Sequence, residues 1–257
     1  MENEEEGPVG EIKSVQDLLD LLDPLAADGR EIWYRGHRDV KWKLEASVLR
    51  DGTHRKTEQA MLARFRQQAA SAGLGHAFDE WGWVTFAQHH TLPTRLLDWT
   101  ESPLVGLFFA CEGGSNDAVE KDGEFFVLDP CELNKEAGDG DGGHPYLLRD
   151  STSGLDDYRP GKDAQNSRKP RSVIAPMVFD RIRFQSGCFT VEQTREPTGD
   201  IEPLRAAASL QSFRVPGEHK RQLRSQLEAL GFNEVSVYRD LDRISRRIKA
   251  GHGRGGK

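Results

Sequence analysis

The stretch from Trp83 to Cys111 constrains this chain more than any other. It reads Trp-Val-Thr-Phe-Ala-Gln-His-His-Thr-Leu-Pro-Thr-Arg-Leu-Leu-Asp-Trp-Thr-Glu-Ser-Pro-Leu-Val-Gly-Leu-Phe-Phe-Ala-Cys. Most of it is apolar enough to be core, yet it carries a glutamine, two histidines, an arginine, an aspartate and several hydroxyls. Such groups are costly to bury unless each finds a partner, so a site is expected here. The stretch ends in a well-signalled helix. Ser102 supplies a capping hydroxyl and Pro103 suits the first helical position. Leu104, Leu107, Phe108 and Cys111 form its apolar stripe.

Other elements follow from periodicity and end signals. Ser14 caps a helix with Asp17 in its first turn and Val15, Leu18, Leu19 and Leu22 at helical spacing. Pro24 and the Ala-Asp-Gly-Arg segment are expected to end it. Glu31 to Arg35 reads as a strand. Thr57 caps a second helix with Met61, Leu62 and Phe65 inward, and Asp79 to His89 is helical despite Gly82. Strands are expected at Glu124–Leu128, Ser172–Phe179, Cys188–Val191 and Gln211–Val215. A helix from Glu218 to Leu230 stops at Gly231, followed by a strand at Glu234–Val237 and a helix at Asp240–Ile248. Glu136–Gly143 and Thr152–Arg171 read as surface loops. Helices cluster early and strands late, which favours α+β over a doubly wound sheet.

Composition narrows the class. The 257 residues are 36% hydrophobic, enough for a core, and the net charge of −7 argues against a duplex-DNA binder. Three cysteines, Cys111, Cys131 and Cys188, have no metal-type spacing, which suggests a reducing compartment. No apolar run reaches the length of a membrane span. The acidic opening Met-Glu-Asn-Glu-Glu-Glu lacks the features of a secretory leader. A cytoplasmic protein is expected, with residues 1–12 and the tail 251–257 unstructured.

Several clusters carry chemistry. In Trp33-Tyr34-Arg35-Gly36-His37 the arginine ends a strand, where its fork suits a phosphate or carboxylate. The alternative is an arginine paired with an internal acid. Gly36 allows close approach of a ligand or another backbone. Gln88-His89-His90 permits acid–base work, but lacks a third ligand at helical spacing for a metal. Arg95 and Asp98 pair with each other, or leave one partner for a ligand. The helix start at Ser102 can hold an anion or simply be capped. Gln185 in the Arg181–Thr190 run is a neutral donor and acceptor. Arg239, Arg243, Arg246, Arg247 and Lys249 read as a solvated face rather than a nucleic-acid surface.

Together these segments resemble the FRG domain family. Its Phe-Arg-Gly motif appears as Tyr34-Arg35-Gly36. The likeness continues through Gln88-His89, Leu92-Pro93-Thr94-Arg95-Leu96-Leu97-Asp98-Trp99-Thr100, Ser102-Pro103, Leu107-Phe108-Phe109-Ala110, Gln185-Ser186-Gly187, Phe189-Thr190 and Tyr238-Arg239-Asp240-Leu241. It covers residues 13 to 250. Tyr34 replaces phenylalanine, His90 stands where tyrosine is frequent, and Thr91 where glycine is. The segment order is remotely similar to ADP-ribosyltransferases. Arg35 matches their first element, and Trp99, Thr100 and Ser102 their second. Gln185 falls where they have a catalytic glutamate, and Glu192 substitutes only in a different strand register.

The resemblance implies a single α+β domain with a mixed β-sheet core flanked by helices, ADP-ribosyltransferase-like, with NAD as substrate. His89, Asp98 and Gln185 are the expected catalytic residues. Arg35, Gly36, Arg95, Trp99, Thr100 and Ser102 are expected to bind the nucleotide, with no metal. The activity would be ADP-ribosyl transfer or NAD glycohydrolysis, in a stress or phage-defence setting with an unspecified acceptor. Two alternatives are a non-catalytic nucleotide sensor and a metal-dependent nucleic-acid-processing protein using His89, His90 and Asp98.

Overall fold

A computed structural model describes residues 8–71, 78–113, 120–140, 142–162, 169–176, 187–193, 204–238 and 245. Its element order is α1 (Val15–Ala27), β1 (Trp33–His37), α2 (Gly52–Ser71), α3 (Glu80–His89), β2 (Leu96–Trp99), α4 (Pro103–Cys111), β3 (Gly123–Leu128), α5 (Pro130–Glu136), β4 (Tyr146–Leu147), β5 (Arg171–Ile174), β6 (Cys188–Val191), β7 (Leu210–Val215), α6 (Gly217–Ala229) and α7 (Glu234–Tyr238). The fold is mixed α and β, with two sheets rather than the single one expected.

The first sheet is antiparallel, in the order β1-β3-β7; the second runs β2-β6-β5-β4, with only β4 and β5 parallel. They meet at one antiparallel bridge. Tyr34 donates to the Thr100 carbonyl at 2.7 Å and Thr100 donates back at 2.9 Å. Side chains alternate across a strand. Tyr34, Phe125 and Val127 therefore enter a core shared with α1, α4 and α6. Trp33, Phe126 and Leu128 face a second core between the sheets, which also takes Leu97 and Trp99. The third core joins α2 and α3 to the outer face of β2, β5 and β6.

Helix ends follow their caps. Asp79 accepts from the Gly82 N–H, and Ser102 from the Val105 N–H. Helix α2 starts earlier than expected because Asp51, not Thr57, caps it by accepting from the Thr53 N–H. Helix α1 runs through Pro24 to Ala27. Residues 9–12, expected to be loose, hydrogen-bond to the edge strand β7 through Val9 and Ile12. Glu234–Val237 forms helix α7, not a strand. Asn233 caps it, accepting from the Val235 and Ser236 N–H groups, and this overrides the weak alternation of Val235 and Val237. The loop read at 152–171 sends Leu155 and Tyr158 into the third core. The helix expected at Asp240–Ile248, the tail and the end of the Ser172–Phe179 strand lie outside the described residues, apart from position 245.

Candidate functional site

Where the two sheets join, a cavity of about 350 Å³ opens. Strand β1 contributes Tyr34, Arg35 and Gly36; α3 and its end contribute Thr85, Gln88, His89 and Thr91; β2 and its exit contribute Asp98, Trp99 and Thr100. Phe109 of α4, Ser47, and Gly187–Phe189 complete the wall. Of the nine residues singled out from sequence, Arg35, Gly36, His89, Asp98, Trp99 and Thr100 meet here. Gln185 lies outside the described residues.

Arg35 is the cavity's half-buried cation. Its Nε donates to His37 Nε2 at 3.1 Å, and its Nη1 donates to the Asp98 carbonyl. No described carboxylate reaches it at ion-pair distance. Burial pushes its pKa down to about 10, with the Asp98 charge opposing. His37 stands two residues on, on the same strand face, and is 1% exposed. Burial and the Arg35 charge push its pKa down to about 2, so it is a neutral acceptor. His37 was absent from the candidate set, although the i, i+2 spacing from Arg35 was legible.

Gly36 serves packing. A Cβ there would lie 2.1 Å from the Gly106 carbonyl oxygen, so α4 sits directly on β1. The Asp98 carboxylate is oriented from behind: Oδ2 accepts from Gln88 Nε2 at 2.7 Å, and Gln88 Oε1 accepts from Thr94 Oγ1 at 2.6 Å. Thr100 Oγ1 accepts from the Ser102 N–H at 3.1 Å. Trp99 is 2% exposed and donates to Thr190 Oγ1, so it offers an edge rather than an open stacking face. Phe109 is the partly buried ring on that wall. It falls off the apolar stripe of α4, a signal available in the sequence.

Two candidates are placed elsewhere. Arg95 does not line the cavity and does not pair with Asp98. It is 0% exposed, and its Nε donates to Glu58 of α2 at 3.1 Å, with Nη2 on the other carboxylate oxygen and Nη1 on the Tyr158 carbonyl. Ser102 caps α4 and does not line the cavity. Glu192 lies one residue past β6, whose register sets Cys188 opposite Trp99 and Val191 opposite Leu96. It therefore sits at the far end from Trp99. Burial pushes its carboxyl up to about 8, against a backbone hydrogen bond from Ala46, and its Oε1 has no partner among the described residues. No described group of three or more His, Cys, Asp or Glu residues is placed to hold a metal. Among the described residues no helix is long and apolar enough to cross a membrane.

No curated protein and no solved structure matches the chain. Residues 30–118 match the model of the FRG domain. That span contains β1, α2, α3, β2 and α4, and so every wall of the cavity except the Gly187–Phe189 segment. Residues 30–118 therefore carry an FRG domain, and the cavity is built largely from that matched segment.

Proposed function

We propose that the cavity binds a dinucleotide, NAD foremost, and that the protein breaks the bond between nicotinamide and ribose. The observation that carries this is Arg35, a half-buried guanidinium that faces the cavity and hydrogen-bonds only to neutral acceptors, with no described carboxylate at ion-pair distance. A cation so placed favours an anion, and a diphosphate is the anion a dinucleotide supplies. Phe109 and Phe189 offer apolar surface to a flat ring, and Thr100 offers a hydroxyl to ribose. Asp98 is the carboxylate within the wall. In the proposed step the C1′–N bond breaks and its electron pair leaves with nicotinamide. Water or an acceptor nucleophile then adds to C1′, and its proton passes to Asp98, or to His89 by way of solvent. Ser102 and Arg95 have no part in this reading. Consumption of a cellular dinucleotide would suit a stress or phage-defence role.

The test is titration with NAD and ADP-ribose alongside measurement of nicotinamide release. Saturable binding with release supports the enzyme. Arg35→Ala should weaken binding by roughly 10- to 100-fold and lower release with it, and Gln185→Glu should raise release if Gln185 faces the sugar, because a carboxylate stabilises a developing cation. No binding of either compound sinks the proposal. A second reading, a sensor that binds without turnover, draws on Asp98 already accepting a hydrogen bond from Gln88. Binding with no nicotinamide release in wild type or Gln185→Glu would establish it.

A further inference from the structure

We infer that His37 decides how Arg35 meets its anion: it occupies the guanidinium's side-on edge and leaves the end-on edge, Nη1 with Nη2, for a phosphoryl group. This rests on the reading that the cavity takes an anionic ligand. A guanidinium has five N–H donors in a rigid fork. One goes from Nε to His37 Nε2 and one from Nη1 to the Asp98 carbonyl. Among the described residues nothing accepts the rest. Three remain, one on Nη1 and two on Nη2; one Nη2 hydrogen lies beside the His37-bound Nε, and a hydrogen from each of Nη1 and Nη2 supplies the end-on pair, which matches two oxygens of one phosphoryl group.

The imidazole is held in place. Its ring meets Phe126 edge-on at 4.9 Å between centroids and Trp42 at 6.0 Å. Because Nε2 accepts from a guanidinium that cannot give up its proton, the ring hydrogen is assigned to Nδ1. Nδ1 is buried beside the Trp42 backbone, which it meets without full hydrogen-bond geometry, so the nitrogen still carries part of its desolvation penalty. Leucine or methionine would pack between Phe126 and Trp42 without that penalty. The histidine is accounted for by the one thing those residues lack, an acceptor for Arg35. His37 is thus a positioning residue, acting on the ligand only through the guanidinium.

The experiment is a double-mutant cycle read by calorimetric titration with ADP-ribose and inorganic pyrophosphate, with melting temperatures measured in parallel. His37→Leu should weaken binding by roughly 10-fold, the size of one charge-assisted hydrogen bond. His37→Gln, whose amide oxygen can accept from Nε, should retain most of the affinity. In an Arg35→Ala background His37→Leu should have no further effect, because residues that act through one another are not additive. If His37→Leu fails to fold, His37→Met takes its place in the cycle. Unchanged affinity in the acceptor-free variants, or the same loss with and without Arg35, overturns the inference and leaves His37 a packing residue. Absence of binding by the wild type to both probes overturns the dinucleotide reading and this inference with it; binding indifferent to His37 overturns this inference alone.

Discussion

Arg35 and Arg95 are both enclosed arginines, and each donates Nη1 to a backbone carbonyl, of Asp98 and of Tyr158 respectively. They differ in what meets the remainder of the fork. Arg95 faces the Glu58 carboxylate across both oxygens, and Glu58 also accepts the Arg95 backbone N–H at 3.2 Å. That pair is complete without a ligand. Arg35 faces an imidazole, a carbonyl and open cavity. The acids in its field are Asp98, tied to Gln88, and Glu192, whose carboxyl burial pushes up to about 8. The same side chain is therefore a fastener in one place and an unmet electrostatic demand in the other, according to whether an acid reaches ion-pair distance.

The comparison breaks first on stability. Glu58→Ala removes the carboxylate that faces the buried Arg95 charge, which should cost about 3–5 kcal/mol. Arg35→Ala should leave the melting temperature nearly unchanged. Chemical denaturation of the two variants checks this, and equal losses would show that Arg35 is also a fastener.

Glu192 supplies a pH test of the Arg35 region. Its pKa when folded is about 8, above its ordinary 4.5. The folded state then holds a proton that the unfolded state has lost between those values, so stability falls as pH rises through that window. The slope is at most about 1.4 kcal/mol per pH unit. Melting temperatures of wild type and Glu192→Gln at pH 5 and pH 8 should show a flatter dependence in the variant. Parallel curves would mean that Glu192 is ionised when folded.

Binding sharpens the contrast next. Arg35→Ala should weaken ADP-ribose binding by roughly 10- to 100-fold, as expected for a charge-assisted fork, and Arg35→Lys should recover only part because an ammonium lacks the fork. A lysine variant with full affinity would show that charge alone suffices.

The smallest effect is at the cavity mouth. Thr91 has φ 63° and is the only described non-glycine residue in the left-handed region. It follows α3, where its N–H bonds to the Gln88 carbonyl and the Leu92 N–H to the Ala87 carbonyl, a helix ending that favours glycine. Thr91→Gly should raise stability by about 1 kcal/mol, since a left-handed β-branched residue is strained. A drop in melting temperature would show that the threonine side chain has compensating contacts.

Much of this was legible locally. Ser102-Pro103 and Asp79 mark helix starts because capping is satisfied within three residues. The short apolar run before Gly36 marks β1, and the mixed polar run of 83–111 does supply most of the cavity wall. Phe109 and His37 were readable from position alone. The division into two sheets was not, because it depends on which strands pair across separations of 82 to 95 residues.

The partner of Arg95 shows where local reading ends. Asp98 lies three residues away and is the obvious acid in the sequence, but in extended chain residues three apart point to opposite faces. Arg95 turns instead to Glu58, which α2 brings from 37 residues upstream. By itself the sequence determined the starts of α3 and α4, the strand that carries Arg35 and the polar character of the 83–111 segment, because those depend on neighbours along the chain. Only the tertiary structure decided which arginine is neutralised and which faces a cavity, because that depends on which distant acid packing brings within reach.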